Sequence, residues 1–501
     1  MATMQLSKSL TFIFTRMYKN MVRSLSSVGI LYGNRPFDAQ IGPVYRSGPN
    51  RLIFSSLKAL EDIYSHPHIT KGPSYRHSRW MDPPNIFDEP NRLEHRRKRK
   101  VIGQAVSDRL LRAFQPTLSA QVDVLLRQLL KTSRRGETIN MTPLTKRLAV
   151  DTVGHLAFGY ALNTQTNEEN RFIPKAMGKA MYMSNLYYTW PALGIILPVL
   201  RWLAKKKMFV FHRAVQNMIE QRMAQPQDAR PDFYSVASGE LEPRELWNEA
   251  LFFIVAGGTT VSTSISATLF HLCNYPDAYA RLATEIRSTF SSGSEIQSGP
   301  KLAGCKYLRA VIEESLRLTP PSLSPLWRVP EPTYTEPFIV DGHVIPPGTE
   351  VGIHLYSFLH DPTHFPEPFS FRPERWLAPE DEGAAAGSEA NEARAKMRRA
   401  QVSFGAGERS CAGKSMAFME ATTSIARILW YFDFELAPGE AGTRGAGQEG
   451  NGDPWAAPNQ MLLYDIITAD HDGPELLFKP REQFCRELDE MGEQESLRSS
   501  M

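Results

Sequence analysis

Phe404-Gly405-Ala406-Gly407-Glu408-Arg409-Ser410-Cys411-Ala412-Gly413 is followed at once by a helical pattern running from Lys414 to Trp430. A lone cysteine therefore sits in a glycine-rich loop at the mouth of a helix. The N–H groups of a first helical turn and the positive end of the helix dipole favour thiolate over thiol at such a place. Gly405, Gly407 and Gly413 let the chain turn and let its backbone approach a flat ligand closely. Arg409, just ahead of the cysteine, is placed to meet a carboxylate of that ligand. Phe404, Gly405, Gly407, Arg409, Cys411 and Gly413 coincide by chance with a probability on the order of 10⁻⁸ per start point at average residue usage. The reading as an ordinary surface loop is correspondingly weak.

The 501 residues carry a net charge of only +3, which argues against a dedicated nucleic-acid binder. The four cysteines, Cys273, Cys305, Cys411 and Cys485, form no C-x-x-C pair and no zinc-type cluster, so thiols used singly in a reducing compartment are expected. No window reaches the roughly 18 apolar residues of a transmembrane helix. Residues 1–37 hold Lys8, Arg16, Lys19, Arg23 and Arg35 without Asp or Glu. That composition fits a segment lying on a membrane surface, an organelle transit peptide, or an atypical start.

Along the chain, Gly42 to Phe54 reads as two short strands and Leu57 to His66 as a helix. Residues 67–90 read as a long loop. The basic run His95 to Lys100 opens a helix expected to continue to Leu130, and His95 and Arg99, at i and i+4, share one of its faces. Residues 144–225 read as several amphipathic helices. The stretch from Pro243 to about Cys273 is apolar on all sides over Leu251 to Ala256, as in a helix buried through a large domain. Gly257-Gly258-Thr259-Thr260 interrupts it, at about 1 kcal/mol per mid-helix glycine, so something needs room beside it: a neighbouring helix or a bound molecule. Glu314 and Arg317 share a face of an amphipathic helix that stops at Pro320-Pro321, unlike the same spacing at Glu94/Arg97 and Glu495/Arg498. A hairpin is expected around Asp341-Gly342. Residues 378–399 and 438–453 read as surface insertions and 486–501 as a charged tail.

Five features, in this order, resemble the cytochromes P450: the basic helix, Ala256-Gly257-Gly258-Thr259-Thr260, Glu314/Arg317, Pro373-Glu374-Arg375-Trp376 and the cysteine loop. The wording is most similar to fungal microsomal P450s of secondary metabolism. The resemblance implies a mainly α fold with small β-sheets (α+β) in a single large domain, residues 38–485, that binds haem b. Cys411 would be the axial iron ligand, with Phe404, Gly405 and Gly413 around it, and His95, Arg99, Arg328 and Arg409 would hold the propionates. Glu314, Arg317 and Arg375 would form a structural lock. Thr260 would deliver protons at the oxygen site; the family's usual acid beside it is Thr259 here, which leaves the proton route open between Thr259 with water and a chemistry that needs no acid.

The implied activity is monooxygenation of a lipophilic terpenoid or polyketide-type molecule by O2. Electrons would come from NADPH-cytochrome P450 reductase, at the cytosolic face of the endoplasmic reticulum with peripheral membrane contact; mitochondrial targeting is the other address considered. The remaining basic side chains of the 95–100 run would dock the electron donor. Two alternatives follow from the same residues: a haem-thiolate isomerase or dehydratase needing no electrons, and a non-catalytic haem-binding relative. Pocket residues are expected from the 75–90 loop, Phe253 to Ala256 and the segment after Pro321.

Overall fold

In a computed structural model, residues 42–499 are described except 80, 160–161, 190–212, 214–215, 218, 228, 230–231, 379–387 and 448–456. The basic segment 1–37 and parts of both expected insertions lie outside the described residues. The helices that position the site are α1 (Leu57–Tyr64), α2 (Arg92–Ala105), α3 (Asp108–Ser133), α4 (Met141–Phe158), α5 (Phe172–Thr189), α6 (Pro243–Asn274), α7 (Lys306–Leu318), α8 (Ser388–Ala400), α9 (Lys414–Tyr431) and α10 (Glu482–Ser499).

The apolar stretch around Leu251 forms α6, whose Leu251, Ile254, Ile265 and Leu269 are at most 2% exposed. It runs through the middle of the molecule against α4, α7 and α9. The room made by its glycine pair is filled by the neighbouring helices. A Cβ on Gly257 would meet Val153 Cγ2 at 2.9 Å, and one on Gly258 would meet Val150 Cγ2 at 2.7 Å and Met177 Cε at 3.1 Å. Those glycines cut a packing notch for α4 and α5, and Gly257 also lines the cavity described below.

Among the described residues four small sheets flank the helices, giving a mainly α, α+β fold in one domain. The largest sheet has the order β1 (Val44–Gly48), β2 (Arg51–Phe54), β8 (Glu350–Ile353), β5 (Arg328–Pro330), β3 (Ile69–Lys71). A three-stranded sheet joins β4 (Ile139–Asn140), β12 (Glu475–Pro480) and β9 (Phe432–Leu436), and β10 (Tyr464–Ile466) pairs with β11 (Thr468–Asp470). The hairpin of β6 (Ile339–Val340) and β7 (His343–Val344) turns on Asp341 and Gly342, both at positive φ (47° and 76°), as a two-residue hairpin turn requires.

Two helices differ from the sequence reading, and the expected 67–90 loop contains the strand β3. The basic helix does not continue to Leu130, because Val106 and Ser107 separate α2 from α3. Ser107 takes an extended backbone at the N-cap position, and its hydroxyl donates to Gln104 O at 2.7 Å, the local competition that makes serine a helix boundary. Residues 486–499 belong to α10, where Cys485 and Leu488 are fully buried and Arg134, the C-cap residue of α3, bridges Glu482 (2.8 Å) and Asp489 (2.9 Å). Phe484 and Met491 pack beside them, so an apolar stripe seats this charged helix.

Candidate active site

One large cavity lies between α6, the cysteine loop, the 71–87 loop and the β10–β11 turn. Cys411, a free thiol, lines it together with Phe404, Gly405, Arg409 and Gly413. The loop is closed by Cys411 N donating to Phe404 O at 2.8 Å, and Gly405 sits at φ +69°. Gly407, also left-handed at φ +71°, faces elsewhere: a Cβ there would stand 1.9 Å from Tyr64 O, so this glycine lets the loop dock on the end of α1. Gly413 is the N-cap residue of α9. Burial raises the Cys411 thiol above its ordinary value, against the opposing pull of the Gly413 N–H, Arg99 and Lys414. The loop N–H and the nearby cations thus pull toward the thiolate, and desolvation opposes them. A coordinated metal would deprotonate it outright.

Beside the cysteine the cavity is cationic, lined by Lys71, His95, Arg99, Arg328 and Arg409. Arg409 donates to Glu89 O (2.7 Å), Thr70 Oγ1 (3.2 Å) and Pro90 O (3.1 Å). Arg328 is 3% exposed and donates to Tyr75 Oη and Trp327 O, both at 3.0 Å. Arg99 donates to Ser410 O. His95 is buried with no hydrogen-bond partner at Nδ1, and desolvation followed by repulsion from Lys71, Arg409 and Arg99 pushes it down to about 2. Burial and then Arg328 push Arg409 down to about 10. Lys71 is held well below its ordinary value by burial, Arg409 and Arg328. Buried like charges without an anion among them are costly, so this end of the cavity is built for a ligand that brings negative charge.

Most of the remaining lining is apolar and aromatic. Phe87 stacks on Phe252 at 5.4 Å, and Phe233 packs edge-on against Phe253 at 4.7 Å. Residues from all three expected pocket segments line the cavity: Tyr75 and Ile86, Phe253 and Ala256, Pro321 and Leu326. The 81–86 wall is pinned to α6, since Asn248 Nδ2 donates to Pro83 O at 2.6 Å and Ile86 N donates to Glu249 Oε2 at 3.0 Å. Thr260 lines the cavity, with its hydroxyl donating to Ala256 O at 2.7 Å. Thr259 points away: it is 7% exposed, is absent from the lining, and donates to Val255 O at 3.0 Å.

Glu314 and Arg317 are fully buried and joined bidentately (3.0 and 2.8 Å). Arg375 Nε donates to Glu314 Oε1 at 3.0 Å, and Arg317 also donates to Leu359 O and Pro368 O at 2.9 and 2.7 Å. Every charge in this lock is satisfied, as a buried network requires. Glu94/Arg97 is a surface pair by contrast, and the Glu495/Arg498 side chains lie outside the described residues.

The basic run is distributed inward more than the sequence implied. Arg96 pairs with Glu408 of the cysteine loop, as Arg92 does at 3.1 Å. Arg97 and the buried Lys98 reach Glu245, and Lys98 also lies 3.3 Å from Glu249. Of residues 96–100, only Lys100 is exposed without an ion pair to a described residue, so the run offers less unpaired charge at the surface than its composition implies. Lys71 and Glu420 line the cavity and were not among the expected site residues. Lys71 enters from a strand distant in sequence with no spacing to announce it, whereas Glu420 carries a legible signal, an acid on the apolar face of α9 between Ala417 and Ala421.

The sequence model of the family described as Cytochrome P450 matches residues 51–445. The chain belongs to the cytochrome P450 family. Among its relatives are the cytochrome P450 monooxygenase atnE of Emericella nidulans, 31% identical over 472 residues (88% of this chain, 85% of the relative), and apf7 of Gibberella fujikuroi, 31% identical over 487 residues (88% and 87%). A third, lcsN of Purpureocillium lilacinum, is 33% identical over 359 residues (68% and 99%).

Membership of the P450 family implies a haem, and the residues present fit one. Among the described residues no three His, Cys, Asp or Glu side chains cluster to hold a metal, so an iron at Cys411 must bring its remaining ligands with it, as a porphyrin does. The cationic end with its unpartnered His95 Nδ1 suits the two carboxylates of such a group. Among the described residues the helix long and apolar enough to cross a membrane is α6, and 72% of its apolar window is buried in the protein.

Proposed function

We propose that this P450 monooxygenase inserts one oxygen atom of O2 into a lipophilic small molecule of the terpenoid or polyketide kind. The observation that carries the reading is the lining of one cavity, which combines a thiol and a cationic cluster with stacked aromatic rings. Haem b, when bound, supplies the oxidising chemistry, with a thiolate ligand that favours O–O cleavage. Cys411 is the iron ligand. His95, Arg99, Arg328 and Arg409 receive the propionates, joined by Lys71, and Phe404, Gly405 and Gly413 let the loop lie close to the ring. Phe87, Phe252 and Phe253 exclude water from the substrate end. The Thr260 hydroxyl stands at the cavity edge to pass protons. Glu314, Arg317 and Arg375 hold α7 and the 373–376 turn in fixed relation beside the cysteine loop.

Electrons are supplied from NADPH by a separate NADPH-cytochrome P450 reductase, and the enzyme works at the cytosolic face of the endoplasmic reticulum, where its basic segment 1–37 contacts the membrane. Wild-type protein should show the red-shifted ferrous-CO band of a thiolate-ligated haem, and Cys411→Ala should abolish it; a band retained in the variant refutes the ligand. Deleting the gene in its host and comparing metabolite masses should reveal a precursor one oxygen lighter than the lost product. With that precursor as substrate and reductase present, NADPH consumption separates this reading from an isomerase or dehydratase, which consumes none.

A further inference from the structure

The cavity wall formed by Asn85, Ile86 and Phe87 is held from behind by two charged side chains that do not themselves line the cavity. Lys98 of α2 and Glu249 of α6 are at most 1% exposed, and Lys98 Nζ stands 3.3 Å from Glu249 Oε1. Between them they grip one short stretch of backbone with opposite polarities. Lys98 Nζ donates to Pro84 O, and Glu249 Oε2 accepts from Ile86 N at 3.0 Å. A buried ion pair contributes little stability that apolar side chains of similar size would not, so its use is to fix an arrangement.

The gripped stretch is a unit. Asp88 Oδ1 accepts from Asn85 N at 2.7 Å, Asn85 Oδ1 accepts from Phe87 N at 2.9 Å, and Glu89 N donates to Asn85 O at 2.9 Å, so residues 85–89 close on themselves and shift together. Phe252 lies one turn beyond Glu249 on α6 and stacks on the ring of Phe87 at 5.4 Å. The carboxylate therefore fixes the backbone of this turn while the stack fixes its aromatic side chain. On its N-terminal side the segment has a separate anchor, Asn248 Nδ2, which donates to Met81 O and Pro83 O at 3.3 and 2.6 Å. Releasing the ion pair leaves that anchor in place, so the movement is confined to the turn.

We propose that Lys98 and Glu249 are positioning residues, a buried clasp that holds the Ile86–Phe87 wall against α6 and thereby sets how bulky a molecule the cavity admits. The role rests on the monooxygenase reading, in which this wall bounds the space for substrate.

The test compares haem-loaded wild type with the double variant Lys98→Met/Glu249→Leu, which removes both charges together and strands neither, while Glu245 keeps its contact with Arg97. Hydrogen exchange read by mass spectrometry should show the peptide covering residues 84–89 exchanging at least tenfold faster in the variant, with the peptides of α3 and α10 unchanged. In optical titrations imidazole should bind both proteins with affinities within about twofold, whereas 1-tritylimidazole, a bulky analogue, should associate with the variant at least fivefold faster. If the leucine variant cannot be recovered, Lys98→Met/Glu249→Gln, which keeps an acceptor for Ile86 N, takes its place, with differences of at least threefold expected in both measurements. Unchanged exchange at 84–89, equal association of 1-tritylimidazole, or faster exchange spread over the whole chain overturns the proposal. Absence of an imidazole-induced spectral shift in wild type would instead overturn the monooxygenase reading, while the exchange comparison still judges the clasp.

Discussion

Trp376 Nε1 donates a hydrogen bond to Glu314 Oε2 at 2.9 Å. The indole thereby joins Arg317 Nε and Nη2, Arg375 Nε and Arg372 N, so one fully buried carboxylate accepts from five donors. The proline turn at 373–376 is held to α7 by its tryptophan as well as by its arginine. Replacing Trp376 with Phe keeps the ring and removes one charge-assisted bond, which should cost about 1.5–3 kcal/mol in urea denaturation with an unchanged slope. Glu314→Gln strands the buried Arg317 charge and should cost about 3–5 kcal/mol, enough to prevent recovery of haem-loaded protein.

The notch in α6 makes a rescue experiment possible. Gly258→Ala should destabilise by about 1–3 kcal/mol, because the new methyl group overlaps Val150. In a Val150→Ala background the same change should be neutral or stabilising, since alanine is favoured over glycine within a helix by about 1 kcal/mol. Thermal melts of the four proteins of this cycle measure the coupling directly.

Lys71 should act with opposite signs in the two forms of the protein. Without haem, Lys71→Met removes a buried cation repelled by Arg409 and Arg328 and should raise the melting temperature. With haem, the same variant loses a partner for the propionates and should retain haem at least tenfold more weakly, measured by transfer to a competing haem acceptor. Equal haem retention by the two proteins would remove Lys71 from the site.

His271 gives a pH signature away from the cavity. It is fully buried, exchanges a 2.8 Å hydrogen bond with Thr319 Oγ1 and stacks on Phe371 at 5.0 Å; desolvation pushes it down to about 3. Its folded pKa lies below its unfolded one, so between about pH 6.5 and 3 the unfolded chain binds more protons. Stability is therefore full above pH 6.5 and falls as the pH drops. At pH 5 the loss should reach about 2 kcal/mol. His271→Gln should flatten the slope of denaturation midpoint against pH between 7 and 5.

What the amino-acid sequence determined by itself was whatever rests on local pattern. Helix periodicity, the Asp341-Gly342 turn, the buried character of α6 and the i, i+3 pairing of Glu314 with Arg317 all follow from residues close in the chain. So does the cysteine loop, because its glycines, arginine and thiol are contiguous. Family resemblance then placed His95, Arg99, Arg328 and Arg409 around one ligand, and the structure brings all four to the same cavity. Tertiary packing decided the rest. Whether the glycines of α6 make room for a ligand or for a helix depends on where Val150, Val153 and Met177 arrive from other helices. Whether Arg96, Arg97 and Lys98 face a partner or the protein depends on the carboxylates of Glu408, Glu245 and Glu249, far away in sequence. Likewise chain order puts no acid beside Thr260, and only the packing of α9 against α6 brings the Glu420 side chain to the cavity that Thr260 lines. Side-chain direction and long-range desolvation carry no signature in a linear string, and these two quantities set the chemistry of the site.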